Sequence, residues 1–335
     1  MPKPVIIAVD AMGGDNSPNK TICGIKEYLT KKKDVYFRIF GRRKSIENEL
    51  LKHSINKNLF EIINCDDVVE NNDTPLAAAK KKNTSMWQSI NDVKNKKSDV
   101  IVSAGNTGAL FVISKLSINM IENISKPALA ALWPNKIDMN IVLDLGANID
   151  CSSEQLKQFA LLGSLTAEHL FSVKSPSVRL LNIGSETTKG NLMIQQAAEL
   201  LQNESSINYQ GFIEGDGLFA GMADIVVCDG FSGNIALKAS EGAAKLIGHR
   251  FSEFLNQDWR TRLASTLIGN RLSKLKLSMQ PAFYNGAYLL GLNAVLIKSH
   301  GGADKLGFKA ALNTAIAAAE HQLPSKLAPI LEKHT

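Results

Sequence analysis

Short runs of Val, Ile and other apolar residues recur along the chain, and most end on Gly or Asp. Val5–Ala11, Val35–Gly41, Phe60–Asp66, Val100–Gly105, Ile141–Gly146, Val178–Gly184, Ile225–Gly230 and Ala294–Gly301 are the clearest. Between many of them lie stretches of helical composition, such as Leu156–Leu170 and Asn191–Leu201. Continuous apolar strands alternating with helices predict an α/β fold: three layers, with a largely parallel central sheet covered on both faces. In such sheets ligands bind beyond the carboxyl ends of the strands, so the residues that follow each strand carry the functional signal.

A chain of 335 residues, 44% hydrophobic, can bury a large core. We expect one continuous α/β domain over residues 1–335, with a protruding helical subdomain around 250–280. The apolar stretch at the N-terminus is too short for a secretory signal. No apolar run approaches the roughly 20 residues of a membrane-spanning helix. Cys23, Cys65, Cys151 and Cys228 stand far apart, without metal-type spacing, which fits reduced thiols in the cytoplasm.

The strand-end loops share a composition: Asp10-Ala-Met-Gly-Gly-Asp15, Ser103-Ala-Gly-Asn-Thr-Gly108, Asp144-Leu-Gly-Ala-Asn148, Asn182-Ile-Gly184, Asp229-Gly-Phe-Ser-Gly-Asn234 and Lys298-Ser-His-Gly-Gly302. Glycine lets backbone approach a ligand closely, Asn, Ser and Thr supply neutral donors, and a following helix N-terminus adds free N–H groups. Such loops suit a phosphate, although Gly and Asn also make ordinary tight turns. The usual dinucleotide, nucleotide-triphosphate and serine-hydrolase loop signatures are missing. Of the histidines only His300 lies in a strand-end loop, which argues against a histidine metal cluster. Cys228, flanked by Val227 and Asp229, reads as a buried strand thiol rather than a nucleophile.

Taken in order, these loops closely resemble the bacterial phosphate acyltransferase family (PlsX). The matching segments are Ile7–Asp15, Val102–Ala109, Leu143–Asn148, Leu181–Gly184, Lys189–Asn191, Val227–Asn234 and Lys298–Gly301. The resemblance implies transfer of a fatty acyl group from acyl carrier protein to inorganic phosphate, giving acyl phosphate for phospholipid synthesis. It also implies a fold like that of the isocitrate and isopropylmalate dehydrogenases and the phosphotransacetylases, and a homodimer held peripherally at the membrane. No cofactor is implied. A further implied partner is an acyl-phosphate:glycerol-3-phosphate acyltransferase. One departure is Ser185, at a position where the family usually carries an acidic residue.

Attack of phosphate on a thioester needs little acid–base help: phosphate is largely a dianion at neutral pH, and a thiol of pKa about 8.5 leaves readily. The protein must position phosphate and stabilise the oxyanion. Lys189 is the expected phosphate cation, unless it is a solvated surface lysine. Asn234 is expected to donate an amide N–H, unless it merely caps a helix. His300 can protonate the leaving thiolate or serve the structure. Gly13, Gly14, Asn106, Thr107 and Gly108 are expected to supply donors, together with Asn148, Asn191 and Gly233. Asp10, Asp15 and Asp144 are expected to organise the loops, because ionised carboxylates repel phosphate. The loops around Gly13, Asn106, Gly146, Lys189 and Asn234 are expected to converge on one site.

Charge adds one feature. The formal net charge is +6, and the segment from Arg260 to Ala303 has no Asp or Glu but carries Arg260, Arg262, Arg271, Lys274, Lys276 and Lys298. Outside it, 32 basic residues balance 32 acidic ones. Phe251, Leu255, Trp259, Leu263 and Leu267 form a helical stripe about 160° wide, followed by the basic residues. That pattern suits an anionic membrane surface, the acidic carrier protein, or an apolar face packed in a dimer. Nucleic acid is not expected, since no recognised nucleic-acid motif accompanies the charge. Rival readings are a short-chain phosphotransacetylase using acyl-CoA, a metal- and NAD-dependent decarboxylating dehydrogenase, and a non-catalytic scaffold of lipid synthesis.

Overall fold

The computed structural model describes residues 4–30, 34–258, 261, 269 and 285–332. Its strands are β1 (Val5–Asp10), β2 (Val35–Gly41), β3 (Phe60–Asn64), β4 (Val100–Ser103), β5 (Ala128–Pro134), β6 (Met139–Leu143), β7 (Ser177–Leu181), β8 (Asn208–Ile213), β9 (Ile225–Val227), β10 (Ala287–Leu290) and β11 (Val295–Lys298). Every apolar run singled out in the sequence contains one of them. The strands β5, β8 and β10 are additional. Helices α1 (Asn19–Leu29), α2 (Arg43–Lys52), α3 (Pro75–Lys80), α4 (Ser85–Lys94), α5 (Thr107–Ser117), α6 (Ser153–Phe171), α7 (Leu192–Gln202), α8 (Gly230–Asn256), α9 (Lys305–Glu320) and α10 (Leu323–Leu331) complete the described elements.

All the strands join one sheet in the order β3-β2-β1-β4-β11-β10-β5-β6-β9-β7-β8. The alternation of side chains along each strand divides the core in two. Ile7, Val9, Val100, Val102, Ile225 and Val227 face one way, against Ile22 and Ile25 of α1, Phe159 of α6 and Phe308 of α9. Ala8, Ile101, Val142, Val226 and Leu296 face the other way, against Met86 and Ile90 of α4 and Leu110 and Ile113 of α5. Burial on both faces explains why these strands are apolar at every position. The result is a three-layer α/β fold.

The pairing is parallel from β3 through β11 and again from β6 through β8. Between these blocks, β10 is antiparallel to both β11 and β5, and β5 is antiparallel to β6. Three successive reversals leave the second block running opposite to the first. The register nevertheless brings the carboxyl ends of both blocks to one row across the sheet, where Val9, Val102, Ile297, Tyr288, Ala130, Leu143, Val227 and Leu180 pair in turn.

The segments that start helices carry their own stop signals for the preceding loop. Asn106, Ser152, Asn191 and Asp229 each accept a backbone N–H from the first turn of the helix they precede, which satisfies an otherwise unpaired donor. Helix α8 is 27 residues long, about 40 Å at 1.5 Å per residue. Among the described residues no helix is long and apolar enough to cross a membrane. The expected helical subdomain at 250–280 is described only in its first part, where α8 ends. Trp259, Leu263, Leu267, Arg271, Lys274 and Lys276 lie outside the described residues.

Candidate active site

At the carboxyl ends of β1, β4 and β11 a buried charged cluster forms. Asp10, the last residue of β1, accepts the Ser85 hydroxyl at 2.6 Å on one oxygen and the Ser103 hydroxyl at 2.7 Å on the other. Burial pushes its carboxyl up, while the two serines, the Met12 N–H and Lys298 act to hold the charge. Lys298 closes β11 and donates to its neighbour's carbonyl, that of Ser299, at 2.5 Å. Lys20, in the first turn of α1, donates to the Gly301 carbonyl. The same carbonyl accepts the Asp15 N–H at 3.0 Å, so the β1 and β11 loops are tied together. Gly14 lies at φ +79 between them, and a Cβ there would sit 2.5 Å from the Lys20 ammonium. Both a left-handed backbone and the close approach require glycine.

His300 sits at the rim of this cluster, half exposed. Its Nδ1 accepts the Gly302 N–H at 3.0 Å, which places the proton of the neutral ring on Nε2. That nitrogen faces α8: Glu241 lies 3.7 Å away and Lys238 3.5 Å away. Partial burial pushes the imidazole below its ordinary value, and Lys238, Lys298 and Lys245 add to that against the pull of Glu241. Asn285 orders the loop, donating to the Ser299 hydroxyl at 2.8 Å and accepting the His300 N–H at 2.8 Å.

The second cluster follows β6. Asp144 is fully buried and accepts backbone N–H groups from Leu129 at 2.9 Å, Gly146 at 3.2 Å, Ala147 at 3.0 Å and Asn148 at 2.7 Å. The Asn148 amide adds a bond to Asp144 at 2.8 Å and spends its other N–H on the Pro127 carbonyl at 2.8 Å. Burial raises the Asp144 carboxyl, and these donors oppose it. Helix α8 begins against this loop: the Gly230 N–H donates to the Asn148 carbonyl at 2.8 Å. A Cβ on Gly233 would run into the Asp144 carbonyl, so the helix can seat here only with glycine. Cys228 is buried beneath, donating to the same carbonyl at 3.3 Å. Burial pushes its thiol far above the ordinary range.

Several predicted residues take other positions than expected. Asn234 does not cap a helix; Asp229 does, accepting the Ser232 N–H at 2.8 Å. Asn234 lies one turn inside α8 with its side chain against Gly146. Asn106 caps α5 through Ala109 at 3.0 Å and gives its amide N–H groups to the Asn71 and Asp73 carbonyls, so they are already engaged. Thr107 and Gly108 open α5, and Asn191 caps α7 through Ile194 at 2.9 Å. Gly13 accepts the Ser17 hydroxyl on its carbonyl at 2.6 Å. Lys189 is exposed in the loop after β7, whose carbonyls are held by Asn182 and Gln195. Ser185 is exposed in that same loop.

The loops come from two blocks of strands whose carboxyl ends share one row of the sheet. Gly13, Gly14, Asn106 and His300 follow β1, β4 and β11, and Gly146, Asn148 and Lys189 follow β6 and β7, which reach the same row from the other side. Helix α8 links the two: Asn234 meets Gly146, and Lys238, about 6 Å further along the axis, meets His300. Lys20 and Lys298 were not singled out as site residues in the sequence. The available signal was a lysine ending the otherwise apolar run Val295-Leu-Ile-Lys298, since lysine is almost never fully buried without a reason. Among the described residues no group of three or more His, Cys, Asp or Glu side chains could hold a metal ion.

The sequence matches a family described as "Fatty acid synthesis protein" over residues 5–326. A phosphate acyltransferase of Pelagibacter ubique (strain HTCC1062) is 46% identical over 316 residues, which cover 93% of this chain and 94% of that one. A phosphate acyltransferase of Magnetococcus marinus is 41% identical over 335 residues, with 98% and 96% covered. Among solved structures, a phosphotransacetylase from Streptococcus pyogenes superposes with a TM-score of 0.64 at 17% identity, covering 96% of this chain and 95% of its own. The EutD phosphotransacetylase from Staphylococcus aureus gives 0.61 at 16%, with 95% and 94% covered. At such identities the structural likeness is one of fold.

Lys298 supplies a test of the buried cluster. Burial, then the neighbouring Lys20, push its ammonium from an ordinary 10.5 down to about 8, with Asp10 acting in the opposite sense and Lys238 in the same. Between those two values the unfolded chain keeps a proton that the folded chain has released. Folding stability contributed by this group therefore rises with pH through that window. Urea unfolding of wild type and Lys298→Met from pH 7 to 10 should show wild type gaining stability relative to the variant as pH rises. A constant difference would contradict the burial of a charged Lys298.

Proposed function

Because the chain belongs to the phosphate acyltransferase family, we propose that it transfers a fatty acyl group from acyl carrier protein to inorganic phosphate, releasing acyl phosphate for phospholipid synthesis. Acyl transfer to phosphate is the family's chemistry; the carrier-bound donor and the fate of the product are our reading. The observation that carries it is the end-to-end match to phosphate acyltransferases, over nearly the full length of both partners.

The chemistry available to the residues agrees. A phosphate oxygen attacks the thioester carbonyl carbon, a C–O bond forms, the C–S bond breaks, and the thiolate takes up a proton. The hydrogen carried by the attacking hydrogen phosphate supplies that proton, and the Nε2–H of His300 is placed to donate a hydrogen bond at the site. Asn234, on the same helix, is our candidate donor to the oxyanion. The buried thiols offer no ready nucleophile for an acyl-enzyme: burial pushes Cys65 up to about 12 and Cys151 to about 11, with Cys228 higher still. Asp10 and Asp144, enclosed by hydroxyl and N–H donors, hold loops rather than substrate.

The exposure of Lys189 changes its expected part. A hydrated surface ammonium holds an anion weakly and is screened by salt. We assign it to attracting the anionic substrates to the site rather than to gripping phosphate.

Two partner proposals rest on α8. Phe231, Ile235, Leu246, Ile247 and Phe254 are exposed along it, an apolar face of the kind a second copy of the chain covers in a homodimer. The basic amphipathic segment that follows in sequence suits reversible contact with an anionic bilayer on the cytoplasmic side, each basic residue adding about 1 kcal/mol near such a surface.

Purified protein given palmitoyl-carrier protein and labelled phosphate should produce acyl phosphate, far faster than it uses acetyl-CoA. Preference for acetyl-CoA would make it a short-chain phosphotransacetylase instead, and absence of any transfer would favour the scaffold reading. Cys228→Ser should keep most of the turnover. Lys189→Ala should lower kcat/KM less than about tenfold, with the deficit shrinking as salt is added; a salt-independent loss would return Lys189 to the phosphate subsite.

Vesicle flotation checks the membrane proposal. Wild type should float with anionic vesicles at low salt and be released at high salt, and Leu263→Glu should weaken flotation while leaving the assay in solution. A variant that loses both together, with its oligomeric state, would place that residue in the dimer.

A further inference from the structure

Lys20 and Lys298 are buried cations with too few partners. An ammonium carries three N–H donors. Lys298 gives one to the Ser299 carbonyl and Lys20 gives one to the Gly301 carbonyl, and among the described residues neither forms a carboxylate salt bridge. Each lysine is within electrostatic reach of the other. Burying an unpaired charge is costly, and burying two like charges together is more so.

The acids that face them are occupied or set apart. Asp10 has both oxygens taken by Ser85 and Ser103. Glu241 pairs with Lys238 at 2.9 Å. Asp15 acts on Lys20 only across space, its backbone being tied to Gly301. Cationic side chains on the flanking helix, Lys238 and Lys245, add to the positive field around His300. What this arrangement lacks is a compact dianion with several acceptor oxygens.

An approach exists on the Lys20 side. A cleft of about 720 Å³ opens there, lined by Lys20 with Ser17 and Ala303, by the cations Lys52 and Lys305, and by Glu49, which pairs with Lys52, and Asp304, which caps α9. Lys20 reaches from this cleft to the Gly301 carbonyl, past Gly14, where a Cβ would collide with its ammonium.

We propose that Lys20 and Lys298 form the subsite for the phosphate substrate, a tetrahedral oxyanion bridging their two ammonium groups under the Gly14 and Gly301 loops. This deepens the phosphate-acyltransferase reading and rests on it for the identity of the anion. His300, next in sequence but one to Lys298, then stands beside the attacking phosphate, and Asn234 lies about 6 Å back along α8 from its contact residue Lys238. Asp10 acts as a positioning residue, fixing both cations by its charge without touching the ligand.

Two readouts test this separately from the overall activity. The first is thermal stability of the whole protein in millimolar inorganic phosphate against chloride of matched ionic strength. The second is the KM for phosphate with the acyl donor saturating. Wild type should be stabilised by phosphate. Lys20→Met and Lys298→Met should each lose that stabilisation and raise the phosphate KM about ten- to hundredfold, the cost of one charge-assisted hydrogen-bonding partner. The KM for the acyl donor should stay within about twofold, and Lys298→Arg should recover part of the phosphate effect. If Lys298→Met does not fold, Lys20→Met, on the cleft wall, decides. Folded variants with the wild-type phosphate shift and KM would overturn the subsite while leaving the acyltransferase reading intact. A wild type that binds phosphate through these lysines yet transfers no acyl group would do the reverse.

Discussion

A wholly parallel sheet delivers the ends of all its strands to one edge; here β10 and β5 run against their neighbours, and the ends of two opposed blocks meet on one central row. Those antiparallel pairings turn the β6–β8 block over. Everything downstream follows from that reversal. Two groups of strand-end loops form, one on each side of that row, and an element must connect them. Helix α8 does so, beginning on the Asp144 loop and reaching His300 about two turns later. Gly233 is what lets the helix start there, since any larger residue meets the Asp144 carbonyl.

The second constraint is electrostatic. Asp144 and Asp10 are both buried carboxylates, but they are stabilised differently. Asp144 is saturated by backbone and amide donors and holds a loop shape. Asp10 has two serine hydroxyls and sits among lysines, so its charge organises other charges. On the reading proposed above, the two enclosed ammonium groups, with one carbonyl each, hold an anion. The reaction supplies one, and phosphate needs holding more than it needs activating.

Much of the fold was legible in the sequence. Val5-Ile-Ile-Ala-Val-Asp10 and its like are apolar at every position because both faces are covered, and that pattern is hard to mistake. The strands that were not legible are instructive. Ala128-Leu-Ala-Ala-Leu-Trp-Pro134 is rich in good helix formers, β10 has four residues, and β8 is a polar strand at the sheet edge. Two of these three are the reversing strands, so the opposite direction of the two blocks was not legible in the apolar pattern. Asn234 could be read as an amide donor or a helix cap; the cap is Asp229, and the glycines at 230 and 233 serve close packing of the helix. The sequence pattern identified the loops correctly as motifs. It could not say that Asn106 and Asn148 have already spent their amide donors, or that Lys20 and Lys298 are buried.

The central claim is that phosphate itself attacks the thioester while the protein supplies position and charge. The most direct measurement is intact-protein mass spectrometry, with thiol release, after mixing the enzyme and acyl-carrier protein without phosphate. The account predicts no acylated protein and no carrier thiol released until phosphate is added. A burst of thiol equal to the enzyme present, with an acyl group on Cys228 or any other side chain, would contradict it.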